Sequence, residues 1–150
     1  MAEAQKMQCT LAVPNREIFS GEVYYASIPS VEGQYGVLPG HELILSLNKE
    51  GGVCTLHLDA EGKETIEFLV YDGIAQVFDD KLTVLGRLGK LTSRIKLDEM
   101  KERTSAQERV VEDLRANSDD SECSKLNLRL EEERLKWFKL QVDWAENNAR

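Results

Sequence analysis

The sequence predicts an α+β chain in which a strand-and-turn half, residues 1–90, precedes a helical pair, residues 91–150. Three observations carry this. Apolar residues in the first half recur at every second position. All ten glycines and all three prolines lie in that half. From residue 91 both residue types vanish and the apolar spacing changes to three and four.

The strands follow from alternation. Met7, Cys9, Leu11 and Val13 alternate with Gln8, Thr10 and Ala12, and Cys54, Leu56 and Leu58 alternate with Thr55 and His57. Ile66, Phe68 and Val70 alternate with Glu67 and Leu69, and Leu82 and Val84 flank Thr83. Such runs put one face of each strand on a core. Between them Pro14-Asn15, Asn48 to Gly52, Asp59 to Lys63 and Asp79-Asp80 read as turns. Many short strands at this spacing imply a sandwich or a barrel. Gly86 to Lys90 (G-R-L-G-K) reads as the hinge to the second half.

The first helix is marked by Leu97, Met100, Val111 and Leu114, with Asp98 and Glu99 suited to its N-terminus. Ala116 to Ser121 (A-N-S-D-D-S) is a break rich in capping residues. The second helix carries two apolar stripes. One runs through Cys123, Leu126, Leu130, Trp137, Leu140 and Trp144, the other through Leu128, Leu135, Phe138, Val142, Ala145 and Ala149. One stripe suffices for an antiparallel partner helix, so the second implies a further surface to cover.

Charge excludes some functions. The net charge is -8, with 27 acidic against 19 basic residues, the wrong sign for a phosphate-backbone binder. No apolar run approaches the roughly 20 residues that span a bilayer, so direct insertion is not expected. Met1 to Lys6 lacks a long apolar stretch, and no signal peptide is expected. Three scattered cysteines, Cys9, Cys54 and Cys123, make poor material for a disulfide framework. Cys54 and His57 have a metal-like spacing, but residues three apart on a strand face opposite sides. No metal or other cofactor is expected. Asp59, Glu61, Glu64 and Glu67 read as a solvated hairpin tip rather than an acid–base pair.

The most informative stretch is Gly33 to His41, G-Q-Y-G-V-L-P-G-H. Its three glycines are expected to supply positive φ, Gly36 among them. The stretch resembles the G-E-L-G-I-L-P-G-H signature of the epsilon subunit of bacterial F-type ATP synthases. Phe19 to Val23 resembles that family's F-S-G-x-V, Asp72 to Val77 its S-G-G-x-x-x-V, and Lys81 to Leu85 its x-V-T-V-L. The resemblance implies a ten-stranded β-sandwich followed by an antiparallel two-helix hairpin. It also implies a non-catalytic rotor subunit at the cytoplasmic face of the plasma membrane, bound to the gamma subunit and the c ring.

By that resemblance the docking residues are Glu32, Gly33, Gln34, Tyr35, Gly36, Val37, Leu38, Pro39, Gly40 and His41. Gln34 stands where the family has an acid, and Glu32 is a candidate replacement for the charge. For His41 the alternative is a histidine that caps a turn. The hairpin, with Trp137, Phe138 and Trp144, would regulate ATP hydrolysis by moving from the sandwich to the alpha and beta subunits. Some family members bind ATP through I/L-D-x-x-R-A. Leu97-Asp98-Glu99-Met100-Lys101-Glu102 is the match here, with Arg134 as a candidate partner of Asp98 and Lys101. Lys101 and Glu102 break the motif, and a point charge does not replace a bidentate fork. Two competing functions remain: a free β-sandwich adaptor with a coiled-coil tail, and a small acid–base hydrolase. The second lacks a nucleophile–base pair.

Overall fold

A computed structural model describes residues 4–148. Ala149 of the second helical stripe lies outside them, as do Met1 to Glu3. The chain divides into two compact units, one ending at Arg94 and the other starting at Ile95.

The first unit is a sandwich of ten strands. They are β1 (Met7–Val13), β2 (Arg16–Val23), β3 (Tyr25–Ser30), β4 (Gly33–Val37), β5 (Ile44–Leu47), β6 (Glu50–His57), β7 (Thr65–Tyr71), β8 (Ile74–Phe78), β9 (Lys81–Leu85) and β10 (Leu88–Leu91). One sheet has the order β2-β1-β9-β8-β5, the other β10-β7-β6-β3-β4. All pairings are antiparallel except β1 with β9.

The alternation read from the sequence sets the core. Met7, Cys9 and Leu11 of β1, Leu82 and Val84 of β9, and Ala75 and Val77 of β8 point inward from one sheet. Cys54 and Leu56 of β6, Phe68 and Val70 of β7, and Ala26 and Ile28 of β3 meet them from the other. Burial of an apolar side chain of this size stabilises by roughly 1.5–3 kcal/mol, and these pairs hold the sheets together. Burial also pushes the Cys9 thiol up to about 12 and raises that of Cys54, with the charge of Cys9 adding to the latter. Cys123 is exposed.

The turn chemistry holds at most of the expected places. Asp79 and Asp80 both take positive φ (49° and 56°), the geometry of a tight hairpin between β8 and β9. Gly62 (φ 73°) closes the loop after β6, where the Glu64 N–H donates to Asp59 Oδ1 at 2.9 Å. Asn48 differs from the expected turn residue. It is buried, and its amide donates to the carbonyls of Asp72 and Leu85, both at 3.3 Å. Gly86 to Lys90 also differs, because Leu88 to Leu91 is the tenth strand, paired with β7. Its two glycines resemble a hinge locally, but β7 offers an unpaired edge that the segment completes.

The second unit is a helical hairpin, α1 (Leu97–Asn117) and α2 (Glu122–Asn147). Its antiparallel register is marked by Lys101–Glu146 at 3.5 Å, Glu108–Lys139 at 3.8 Å and Arg115–Glu132 at 2.9 Å. These pairs are solvent-exposed and each contributes little. The buried positions are Met100, Gln107 and Val111 on α1 and Trp137, Gln141 and Ala145 on α2. Gln107 tolerates burial because its amide donates to the Glu131 carbonyl (3.0 Å) and carboxylate (2.6 Å). The first apolar stripe of α2 is not uniform: Cys123, Leu126 and Leu130 are exposed, whereas Trp137 is buried.

Between the helices the Ser121 hydroxyl caps α2, accepting from the Ser124 N–H at 3.2 Å. The hydroxyl and the backbone N–H of Ser121 both donate to Asp119, holding its carboxyl at about 2 rather than 3.8. A depressed carboxylate stabilises the fold above its unfolded value and loses that contribution as pH falls through the folded one. The turn is therefore expected to stay intact at pH 4 and to loosen as pH approaches 2. An NMR titration of the Ser121 amide should show a midpoint near the lower value. A midpoint near 3.8 would mean that the serine does not hold the carboxylate.

Candidate functional site

The signature segment begins at an edge. β4 is the outermost strand of its sheet and pairs only with β3. Val31 and Glu32 form the turn before it, where the Glu32 N–H donates to Ser30 Oγ at 3.1 Å. The Glu32 side chain is exposed. Gln34 is exposed but anchored, donating to Ser27 Oγ at 2.7 Å and the Val53 carbonyl at 3.1 Å. An acid at position 34 would lack these donors, so glutamine stitches three strands where a carboxylate could not.

Tyr35 faces the core and crosses to the other sheet, with its hydroxyl 2.6 Å from Ser46 Oγ on β5. Burial raises its phenol above the ordinary value, and the Ser46 hydrogen bond opposes that shift. Gly36 does not take positive φ; it lies within β4 as extended backbone. Glycine stands there for room, because a Cβ would sit 2.5 Å from the Tyr25 hydroxyl. Val37 is fully buried. The chain then turns through Leu38, Pro39 and Gly40, and the His41 N–H closes the turn on the Leu38 carbonyl at 3.0 Å. The His41 Nδ1–H donates to the Glu42 carbonyl at 2.7 Å. Gly40, at φ 85°, donates its N–H to Asp80 Oδ1 at 2.6 Å. The turn is thereby tied to the β8–β9 hairpin.

These anchors assemble a surface that the motif alone does not contain. Leu43, Leu45 and Leu47 sit two apart, facing solvent, while Ile44 packs inward. Phe78 and Leu85 lie on the same sheet, Leu47 opposes Ile74, and Ile74 opposes Leu85. Val31, whose N–H bonds the Leu47 carbonyl, completes the set. All six of these large apolar residues (Val31, Leu43, Leu45, Leu47, Phe78 and Leu85) are 43–69% exposed. A cleft of about 560 Å³ runs beside them between the edges of β4 and β5, lined by Val31, Glu32, Tyr35 and Leu47. A contiguous apolar face of this kind marks an interaction site on a protein surface. Sequence reasoning missed Leu43, Leu45 and Leu47. The available signal was three leucines in period with Ser46 between them, an apolar set on the face opposite the core.

In the hairpin, Trp137 is buried and Phe138 and Trp144 are half-buried. Asp98 is exposed, Lys101 pairs with Glu146, and Arg134 pairs with Glu131 at 3.7 Å. In the register above, Arg134 lies opposite the C-terminal part of α1, roughly 18 Å along the helix from Lys101 at 1.5 Å per residue. The hairpin does not bring the three together. Among the described residues no helix is long and apolar enough to cross a membrane.

The profile of the ATP synthase delta/epsilon chain beta-sandwich domain matches residues 6–88. The ATP synthase epsilon chain of Maricaulis maris is 35% identical over 82 residues, covering 55% of this chain and 59% of that protein. The epsilon chain of Pelotomaculum thermopropionicum is 36% identical over 86 residues, covering 57% and 60%. The chain thus spans less than two thirds of the length of these relatives. The fold is shared with a chain of the Euglena gracilis mitochondrial ATP synthase OSCP/F1/c-ring structure (TM-score 0.57, 20% identity, 90% of this chain and 78% of that one). It is also shared with a chain of the Tetrahymena thermophila mitochondrial ATP synthase central stalk/c-ring structure (TM-score 0.53, 15% identity, 94% and 99%). With the profile spanning its sandwich and bacterial epsilon chains as relatives, this chain belongs to the ATP synthase delta/epsilon family, as an epsilon chain.

Proposed function

We propose that this chain is a non-catalytic rotor subunit that couples ion flow to ATP synthesis, with its sandwich docked on a gamma subunit and a c ring. The observation that carries the reading is the exposed apolar face of Leu43, Leu45, Leu47, Phe78 and Leu85, continued by the signature turn. A rotor element must transmit torque without slipping, and apolar burial over a rigid, two-sheet platform meets that need. The bound state places the chain at the cytoplasmic face of the bacterial plasma membrane without inserting into it. The helical hairpin regulates ATP hydrolysis by reaching the alpha and beta subunits.

Replacing Leu45 and Leu47 with Asp tests the docking face. Both side chains are exposed, so the fold is expected to persist. Affinity for gamma is expected to fall about a hundredfold, the equivalent of about 2.8 kcal/mol from two central apolar contacts. Co-purification with gamma undiminished in the double variant would remove this face from the interface. ATP hydrolysis by a reconstituted catalytic head, with the full chain and with a chain ending at Arg94, separates docking from regulation. Equal inhibition by both would take the regulatory role away from the hairpin.

A further inference from the structure

At the opposite edge of the sandwich from β4 and β5, the two sheets part between β2 and β10, leaving a cavity of about 400 Å³. Its size falls within the range of small-molecule sites. The inner surface is apolar: Ile18, Phe19, Ile66, Phe68 and Leu91 line it. The Phe19 and Phe68 rings, 6.1 Å apart and inclined at 56°, bridge the sheets. Phe68 is 2% exposed.

A backbone irregularity builds this mouth. β1 and β2 pair Leu11 with Phe19 and then Ala12 with Glu17, so Ile18 is the extra residue of a β-bulge. Successive strand residues normally face opposite sides, yet Ile18 and Phe19 both pack against the core. Re-aiming a side chain at a sheet edge is what such a bulge does. Gly89 leaves room for it, since a Cβ there would meet Ile18 Cδ1 at 3.1 Å.

The rim is cationic. Arg16, Lys90 and Arg94 line the cavity with Glu17 as the one acid. In residues 1–94 basic side chains number eight against 13 acidic ones, so three of the eight converge on one opening. Neither the Arg16 nor the Arg94 guanidinium forms an ion pair among the described residues. Arg94 is placed by the short 3-10 turn Thr92–Arg94, which the Thr92 hydroxyl pins to the Glu67 carbonyl at 3.1 Å.

We infer that this mouth is a binding site for a medium-chain amphipathic carboxylate, with its alkyl tail between Phe19, Ile66 and Leu91 and its carboxylate held by Arg16 and Arg94. A guanidinium presents paired donors that match a carboxylate, and the two arginines at the rim have none of their own. The tail replaces water against an apolar wall. The site is on the far edge from the docking face, so it stands whether or not that face binds gamma.

The test is an NMR titration of the full-length chain, carbon-13 labelled at Ile and Leu methyls, with decanoate below its micellar concentration. Decanol supplies the tail without the charge, and acetate the charge without the tail. Decanoate is expected to shift the methyls of Ile18, Ile66 and Leu91 saturably, with acetate producing no shift. In the Arg16→Gln/Arg94→Gln variant, decanoate is expected to bind about tenfold more weakly while decanol binds unchanged. The thermal midpoint should be unaltered, since both side chains are exposed. Ile66→Trp, which fills the cavity, should abolish binding of both tailed ligands. Absence of shifts at these methyls, equal affinity for decanol and decanoate, or full decanoate affinity in either variant would overturn the assignment.

Discussion

Gly73→Ala is expected to destabilise the sandwich by about 3–5 kcal/mol, more than substitution at any other turn glycine. Gly73 has φ 99°, and a Cβ there would lie 1.9 Å from the Leu85 carbonyl oxygen and 2.9 Å from its carbon. Both obstacles are backbone, so no side-chain rotation relieves them. The Leu85 carbonyl also accepts from the buried Asn48 amide, while the Asn48 N–H donates to the Gly73 carbonyl at 2.9 Å. One substitution therefore strains the β7–β8 turn, the end of β9 and the segment between β5 and β6 together. A domain's whole stability is about 5–15 kcal/mol. The midpoint of thermal unfolding should fall by about 15–25 °C, read by circular dichroism. Gly40→Ala is the control: φ is 85°, but nothing lies within 4 Å of its Cβ, and a loss of about 1 kcal/mol is expected. Equal midpoints for the two variants would show that backbone dihedral, not the Leu85 contact, sets the cost.

Replacing Trp137 and Trp144 together by Ala is expected to destabilise the hairpin by several kcal/mol. Trp137 is 8% exposed and Trp144 is half-buried. Removing a buried Trp ring costs about 3–5 kcal/mol through lost transfer energy and the cavity left behind. The exposed ion pairs between the helices contribute too little to offset this. The amides of α1 and α2 should then exchange freely, while those of Met7, Leu56 and Val77 in the sandwich stay protected. This selective loss fits a regulatory element that changes arrangement, because a balance between two states moves from 1:99 to 99:1 for about 5.5 kcal/mol. Loss of protection at Met7, Leu56 and Val77 as well would join the two units into one cooperative fold. The movable-hairpin proposal would then fail.

Whatever neighbours along the chain can decide was readable from the residues alone. Alternation in β1, β6 and β9 reports which face meets a core because side-chain direction repeats every two residues. Asp79-Asp80 makes a turn through its own dihedral preferences, and Ser121 caps α2 through a bond three residues away. The G-Q-Y-G-V-L-P-G-H stretch was legible as a special segment for the same reason, and its likeness to a known signature pointed to the family. What depends on partners distant in the chain emerges with the assembled sheets. Gly36 is required by the Tyr25 ring and not by its own φ, and Gln34 is held by Ser27 and Val53. Leu88 to Leu91 becomes a strand because β7 is there to pair with it. The exposed apolar face exists because β5 is laid beside β8, about 30 residues on in the chain, and the cationic mouth because β2 meets β10 across the two sheets. Long-range pairing of this kind is bought with loop-closure entropy and repaid only by the completed core, so no local pattern records it.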